Sequence, residues 1–119
     1  RYRESGYLDD QAYAERQVES LRRRKGLGRS QLSSELSAKR IAPEIIAEVL
    51  DQFEPESELD RATELAAKRA SSLARLDRET AERRLTGFLL RKGYSSSVVR
   101  EVVSAALAGS HRGSTVRFR

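Results

Sequence analysis

Apolar residues recur along this chain at three- and four-residue spacings, the pattern of amphipathic helices, and no segment shows the two-residue alternation of a half-buried strand. Six helices are predicted. The first runs from Asp10 to Lys25 with Ala14, Val18 and Leu21 on its apolar face. Asp9 is its expected N-cap, because a carboxylate there accepts bonds from the free amides of the first turn, and Leu8 and Tyr13 stand at the spacing of a hydrophobic staple. Arg22-Arg23-Arg24-Lys25 close the helix, where cations suit the negative end of its dipole, and Gly26 and Gly28 break it. The second helix, Arg29 to Lys39, turns Leu32 and Leu36 inward. The third starts at Pro43, whose missing amide is harmless at the first helical position, and carries a stripe of Ile45, Ile46, Val49, Leu50 and Phe53. Ile41 and Ile46 form a second staple pair. After the connector Glu54-Pro55-Glu56-Ser57, in which Ser57 and Asp60 resemble a capping box, a fourth helix reaches Leu73 with Leu59, Ala62, Ala66, Ala70 and Leu73 inward. The fifth spans Arg78 to Lys92 between an Asp77 cap and Gly93. The sixth spans Ser96 to Leu107, with Val98, Val99, Val102 and Val103 inward.

The second half repeats the first. A shift of 53 residues places Leu32 on Leu85, Leu36 on Leu89, Lys39 on Lys92, Ile41 on Tyr94, Ile46 on Val99, and Glu48-Val49-Leu50 on Glu101-Val102-Val103. A shift of 52 aligns the first helices, Ala14 on Ala66 and Leu21 on Leu73. The fold class is therefore all-α: tandem three-helix repeats in an elongated array, in which each unit has a small core and neighbours can share burial. The expected organisation is the end of a preceding repeat at 1–6, capped by Gly6, one repeat at 7–53, a second at 54–108, and a disordered basic tail at 109–119.

Charge adds an exclusion. The net charge is +5, but residues 1–53 hold ten Lys/Arg against nine Asp/Glu, residues 54–108 hold ten against nine, and the last eleven residues hold three Arg and no acid. The helical part is a balanced mosaic, unlike a strongly basic nucleic-acid module, so any basic surface must come from clustering. Cysteine is absent, which excludes disulfides and thiolate chemistry, and fits the cytoplasm. The one histidine, His111, lies in the tail, so neither a zinc site nor a His-based catalytic triad can be assembled. No apolar run approaches the roughly 18 residues of a membrane span. No secretory signal opens the chain, and methionine is absent even at position 1, so the sequence is expected to be a piece of a longer protein.

No enzyme and no cofactor are expected. The carboxylate pair Asp9-Asp10 is explained by capping, and Gly26-Leu27-Gly28 lacks both the lysine and the preceding strand of a phosphate loop. The basic run Arg22, Arg23, Arg24 and Lys25 has two readings. One is a solvated helix end; the other is a contact with an anion, either nucleic-acid phosphate or an acidic protein groove. Lys39-Arg40 and Arg91-Lys92, which close the second helix of each unit, admit the same two. Tyr7, Tyr13 and Tyr94 could stack on bases, but their places between helices favour core packing.

The string Gly6-Tyr7-Leu8-Asp9-Asp10, then Tyr13-Ala14 and the basic Arg22-Arg23-Arg24-Lys25-Gly26, resembles the middle repeat of the RecX family. So does Gly28 with Leu32, Glu35-Leu36 and Lys39-Arg40-Ile41. Ala66, Leu85, Leu89, Arg91-Lys92-Gly93-Tyr94 and the valine-rich last helix are similar to that family's third repeat. The resemblance covers residues 1 to about 108 and implies a cytoplasmic, non-enzymatic regulator of the RecA recombinase. Such a protein binds along the RecA–DNA filament, bridges protomers and inhibits RecA activities in recombinational repair. The partner implied is the RecA filament, with single- or double-stranded DNA a further candidate. The chain is expected to be a monomer lacking most of the family's first repeat, with no membrane contact. A rival reading is a direct DNA-binding module, because three-helix units also occur in helix-turn-helix readers.

Overall fold

The computed structural model describes the backbone of residues 2–53 and 55–117 and the side chains of residues 6–53 and 56–108. Six helices and no strand appear among the described residues: α1 (Tyr2–Lys25), α2 (Arg29–Ala38), α3 (Pro43–Leu50), α4 (Pro55–Ser72), α5 (Arg78–Lys92) and α6 (Ser96–Arg117). They form two three-helix repeats, α1–α3 and α4–α6, in an array measuring 70 × 22 × 21 Å.

Each repeat has its own core. In the first, Ala14, Val18 and Leu21 of α1 meet Leu32 and Leu36 of α2 and Ile45, Ile46, Val49 and Leu50 of α3. In the second, Ala62, Ala66 and Leu73 of α4 meet Ala81, Leu85 and Leu89 of α5 and Val99, Val102 and Val103 of α6. Residues equivalent under the shift play equivalent parts: Ala14 and Ala66 are both fully buried, as are Leu36 and Leu89. Burial that repeats could have shared is not continuous between them; the two clusters are separate.

The repeat extends to the backbone. The Arg40 amide donates to Ser37 O and the Ile41 amide to Leu36 O; the Gly93 amide donates to Leu90 O and the Tyr94 amide to Leu89 O. These paired bonds are the Schellman ending of a helix, which needs a residue in the left-handed region. Gly93 fills that place at φ 103°, and Arg40 fills it at φ 66°. Ile41 and Tyr94 then turn back onto the core and are buried.

Three boundaries differ from expectation. α1 is continuous through Gly6 and Asp9, so Gly6 does not cap a preceding helix and Asp9 is not an N-cap. An isolated glycine costs a helix only about 1 kcal/mol relative to alanine, and no proline stops it there. Without that start the staple has no turn to close: Leu8 is 63% exposed and Tyr13 37%. Tyr7 packs on the first core instead, its hydroxyl donating to Glu48 of α3. α4 starts at Pro55, two residues ahead of Ser57, so Ser57 lies inside the first turn and caps nothing. α6 carries on past Leu107 to Arg117, where a disordered tail was expected; Gly109 and Gly113 weaken a helix without ending it. The tail's side chains, His111 included, lie outside the described residues.

Candidate interaction surface

The sequence-predicted cations separate into three groups. Arg22 is built into the joint between the repeats. Its guanidinium lies 4.0 Å from the centroid of the Phe53 ring and donates to Ser57 Oγ at 2.7 Å. Its main-chain oxygen accepts a 2.8 Å bond from the Arg61 guanidinium of α4. Burial, and then the neighbouring Arg61 charge, lower the Arg22 pKa from its ordinary value. Arg23 and Arg24 project into solvent on the same turn. Arg23 makes a loose 3.5 Å ion pair with Glu19 one turn back, and Arg24 Nε donates to Ser20 Oγ at 3.0 Å.

Lys25, Arg91 and Lys92 are brought together, although 66 positions separate the first two in the sequence. The cause is a clasp between two turns. The Gly28 amide donates to Lys92 O at 2.7 Å and the Ser30 amide to Gly93 O at 3.1 Å. Tyr94 Oη donates to Gly26 O at 2.8 Å, and Lys92 Nζ to Lys25 O at 2.9 Å. The Arg29 amide, at the start of α2, donates to Glu58 of α4 at 2.8 Å. The clasp requires glycine at two places. A Cβ on Gly28 would lie 2.7 Å from the carbonyl carbon and oxygen of Gly93, and one on Gly93 would lie 2.5 Å from the Gln31 amide. Burial pushes the Tyr94 phenol up.

Around the clasp lies a shallow cavity of about 360 Å³, lined by Lys25, Leu27, Gln31 and Glu35 from the first repeat and Phe88, Arg91 and Lys92 from the second. Lys39 and Arg40 stand elsewhere, exposed at the far end of α2, roughly 15 Å along its axis at 1.5 Å per residue. The three cationic groups therefore do not form one continuous patch.

The sequence pattern does not show the joint itself, even where it names a residue of it. Gly28, Gly93, Tyr94, Arg61 and Glu58 form the joint, and Phe88, with the Arg69 guanidinium over its ring, lines the cavity. One signal was available: at the shifted position of buried Ile41 the second repeat carries Tyr94, an apolar body with a hydrogen-bonding tip, and that tip reaches the first repeat. Nothing in the sequence pattern singled out Arg61, since its partner is a main-chain oxygen.

Exposed cations of this kind can pair with anions, and the surface offers no other chemistry among the described residues. Among the described residues no group of three or more His, Cys, Asp or Glu could hold a metal ion, and no helix is long and apolar enough to cross a membrane.

A tandem array of three-helix units, joined turn to turn, is the class of protein these features define. Two family models match: RecX, second three-helix domain, over residues 9–50, and RecX, third three-helix domain, over residues 56–103. The chain belongs to the RecX family. It is 39% identical over 103 residues to the regulatory protein RecX of Amycolatopsis mediterranei, covering 87% of this chain and 59% of that one. It is 37% identical over 107 residues to that of Streptomyces coelicolor (90% and 57%) and 38% over 104 residues to that of Mycobacterium leprae (87% and 61%). The chain thus spans about three fifths of the length of these relatives. No solved structure matches it significantly. The matched ranges fall one in each repeat, with α1 entering the first match at Asp9.

Proposed function

We propose that this chain is a non-enzymatic regulator of RecA that works by binding the RecA–DNA filament and inhibiting its activities, in the cytoplasm and as a monomer. The observation that carries the reading is the pair of matched RecX three-helix domains, in order, each folding as one repeat. The physical form suits the role. A hydrogen-bonded joint between repeats holds a surface that can span more than one site of a periodic partner, as helical arrays do. Arg23, Arg24, Lys25, Lys39, Arg40 and Arg91 are exposed and are the candidate contacts; Arg22 and Lys92 are partly occupied inside the molecule.

Steady-state ATP hydrolysis by RecA on single-stranded DNA tests the reading. Added protein is expected to slow hydrolysis in a dose-dependent way. No effect from this chain and none from a version carrying the full length of its relatives would remove the proposal. Binding to DNA alone, with strong salt dependence and a sequence preference, would replace it with the helix-turn-helix reading.

A further inference from the structure

We propose that the cavity around Phe88 is a docking site for an acidic peptide segment of a partner protein, and that it exists only while the clasp holds the two repeats together. This deepens the proposed function, on which it rests for the identity of the partner, by assigning partner chemistry to one place on the surface. The Phe88 ring is half-buried, with the Arg69 guanidinium 4.7 Å and the Lys92 ammonium 5.6 Å from its centroid. Lys25 and Arg91 stand on the walls beside it. Three of these four cations, Lys25, Arg91 and Lys92, line the cavity against a single acid, Glu35, in a chain whose repeats are otherwise near neutral. None of the four cations forms an ion pair among the described residues, whose ion pairs are Arg23 with Glu19 and Arg29 with Asp51.

A bland account is that cations merely neutralise the ends of α1 and α5, which meet here. It covers Lys92, whose ammonium is spent on Lys25 O. It covers the charge of Arg69, which stands in the last turn of α4, but not the turning of its guanidinium onto the ring. Side-chain carboxylates fit the cavity better than a nucleic-acid strand does. The ring already carries two cations within about 6 Å of its centroid, which compete with a base for stacking on it, and Glu35 opposes an evenly charged phosphate backbone. Carboxylates on separate flexible side chains can meet Lys25 and Arg91 while passing Glu35, and the planar fork of Arg91 can be engaged bidentately. Neither repeat alone holds the site, because its walls come from both and the clasp sets their separation.

The test is fluorescence anisotropy of a labelled ten-residue oligoglutamate peptide, and of labelled oligo-dT of ten nucleotides, titrated with the whole chain at low and moderate salt. The peptide is expected to bind more tightly than oligo-dT. Reversing both Lys25→Glu and Arg91→Glu should weaken the peptide about tenfold or more, as lost and inverted charge contacts of this kind do. Reversing Arg16→Glu and Arg100→Glu, exposed residues that lie off the cavity, should leave it within about twofold. Gly28→Ala should weaken the peptide as the double reversal does while far-ultraviolet dichroism keeps its helical content; should that variant unfold, Gln31→Trp, which fills the wall without touching charge, takes its place. Tighter binding of oligo-dT, or equal losses from the on-site and off-site reversals, overturns the proposal. The RecA hydrolysis assay separates the two readings: inhibition that survives Lys25→Glu with Arg91→Glu sinks this site and leaves the regulator, whereas peptide binding with no effect on RecA from this chain or from a version of its relatives' full length sinks the regulator and leaves the site.

Discussion

The Gly28 amide donates to the Lys92 carbonyl oxygen at 2.7 Å, and this bond joins the turn that opens one repeat's second helix to the turn that closes the other's. The close approach is possible because Gly28 has no side chain: a Cβ there would stand 2.7 Å from the Gly93 peptide. Gly28→Ala must push the turns apart. The strain of such overpacking runs to about 1–3 kcal/mol. Since the apolar cores are separate, the loss should fall on the coupling between repeats and not on either core. Calorimetry is expected to show one transition for the parent and two, or one much broadened, for Gly28→Ala. Hydrogen exchange should find the Ser30 amide deprotected. A single sharp transition at the parent midpoint would show that the clasp couples nothing.

Arg22 and Arg23 are neighbours with the same side chain and opposite fates. Arg22 covers the Phe53 ring and bonds Ser57; Arg23 is 70% exposed and paired only to Glu19, which is 72% exposed. Truncating Arg22→Ala removes a cation–ring contact and strands a hydroxyl, so a loss of about 1–3 kcal/mol is expected. Truncating Arg23→Ala should cost about 0.5 kcal/mol or less, as exposed pairs one turn apart do. Urea denaturation at pH 7 checks both. Equal losses would mean that the basic run acts as one solvated helix end.

Tyr94 ties stability to pH. Burial raises the phenol's pKa in the folded chain above its ordinary value of about 10. A group whose folded pKa is raised holds its proton more tightly in the native state. Its stabilising contribution is therefore complete below pH 10 and is lost as pH climbs through the folded value. Tyr94→Phe should lower stability at pH 7 by about 1 kcal/mol, through the bond to Gly26 O, and flatten the fall above pH 10. Tyr7, also raised, through its bond to Glu48, is unchanged in both proteins and cancels in the comparison. Parallel pH profiles for parent and variant would show that Tyr94 does not titrate with unfolding.

What the sequence disclosed and what it hid divide along a physical line. The three-residue and four-residue apolar spacing placed Leu36 and Leu89 in two cores because burial of large side chains dominates helix packing. The shift of 53 residues paired Ile41 with Tyr94, and the backbone honours that pairing bond for bond. The helix start at Asp9 misread the chain because a capping residue and a glycine are weak preferences, each worth about 1 kcal/mol, and a continuous helix overrides them. The joint stayed hidden for a different reason. Its bonds run through main-chain atoms of Gly26, Gly28, Lys92 and Gly93, which carry no pattern in a string of side chains. The basic run was visible as charge, yet only the packing of Phe53 and Ser57 separates Arg22 from the three cations that follow it.

Arg40 occupies the position of Gly93 one repeat earlier and holds the same left-handed turn at φ 66°. A non-glycine residue there is strained by about 1 kcal/mol. Nothing in the first repeat needs a side chain at that place for packing, since Arg40 is exposed. A Cβ at Gly93 would strike the Gln31 amide, so an arginine at the equivalent turn is incompatible with the clasp made there. The Lys39-Arg40 turn is thus left open with its two cations exposed, and under the proposed function they are candidate contacts with the filament. Arg40→Gly separates such a contact from a purely structural role. It should raise the unfolding midpoint, by roughly 0.5–1 kcal/mol of added stability, because the strain is relieved and no packing is lost. It should also weaken inhibition of RecA-dependent ATP hydrolysis, while Arg40→Asn, which tolerates the left-handed turn but lacks the charge, should weaken it equally. Higher stability with inhibition unchanged in both variants would assign the turn to architecture alone and move the contact to the cations of the junction.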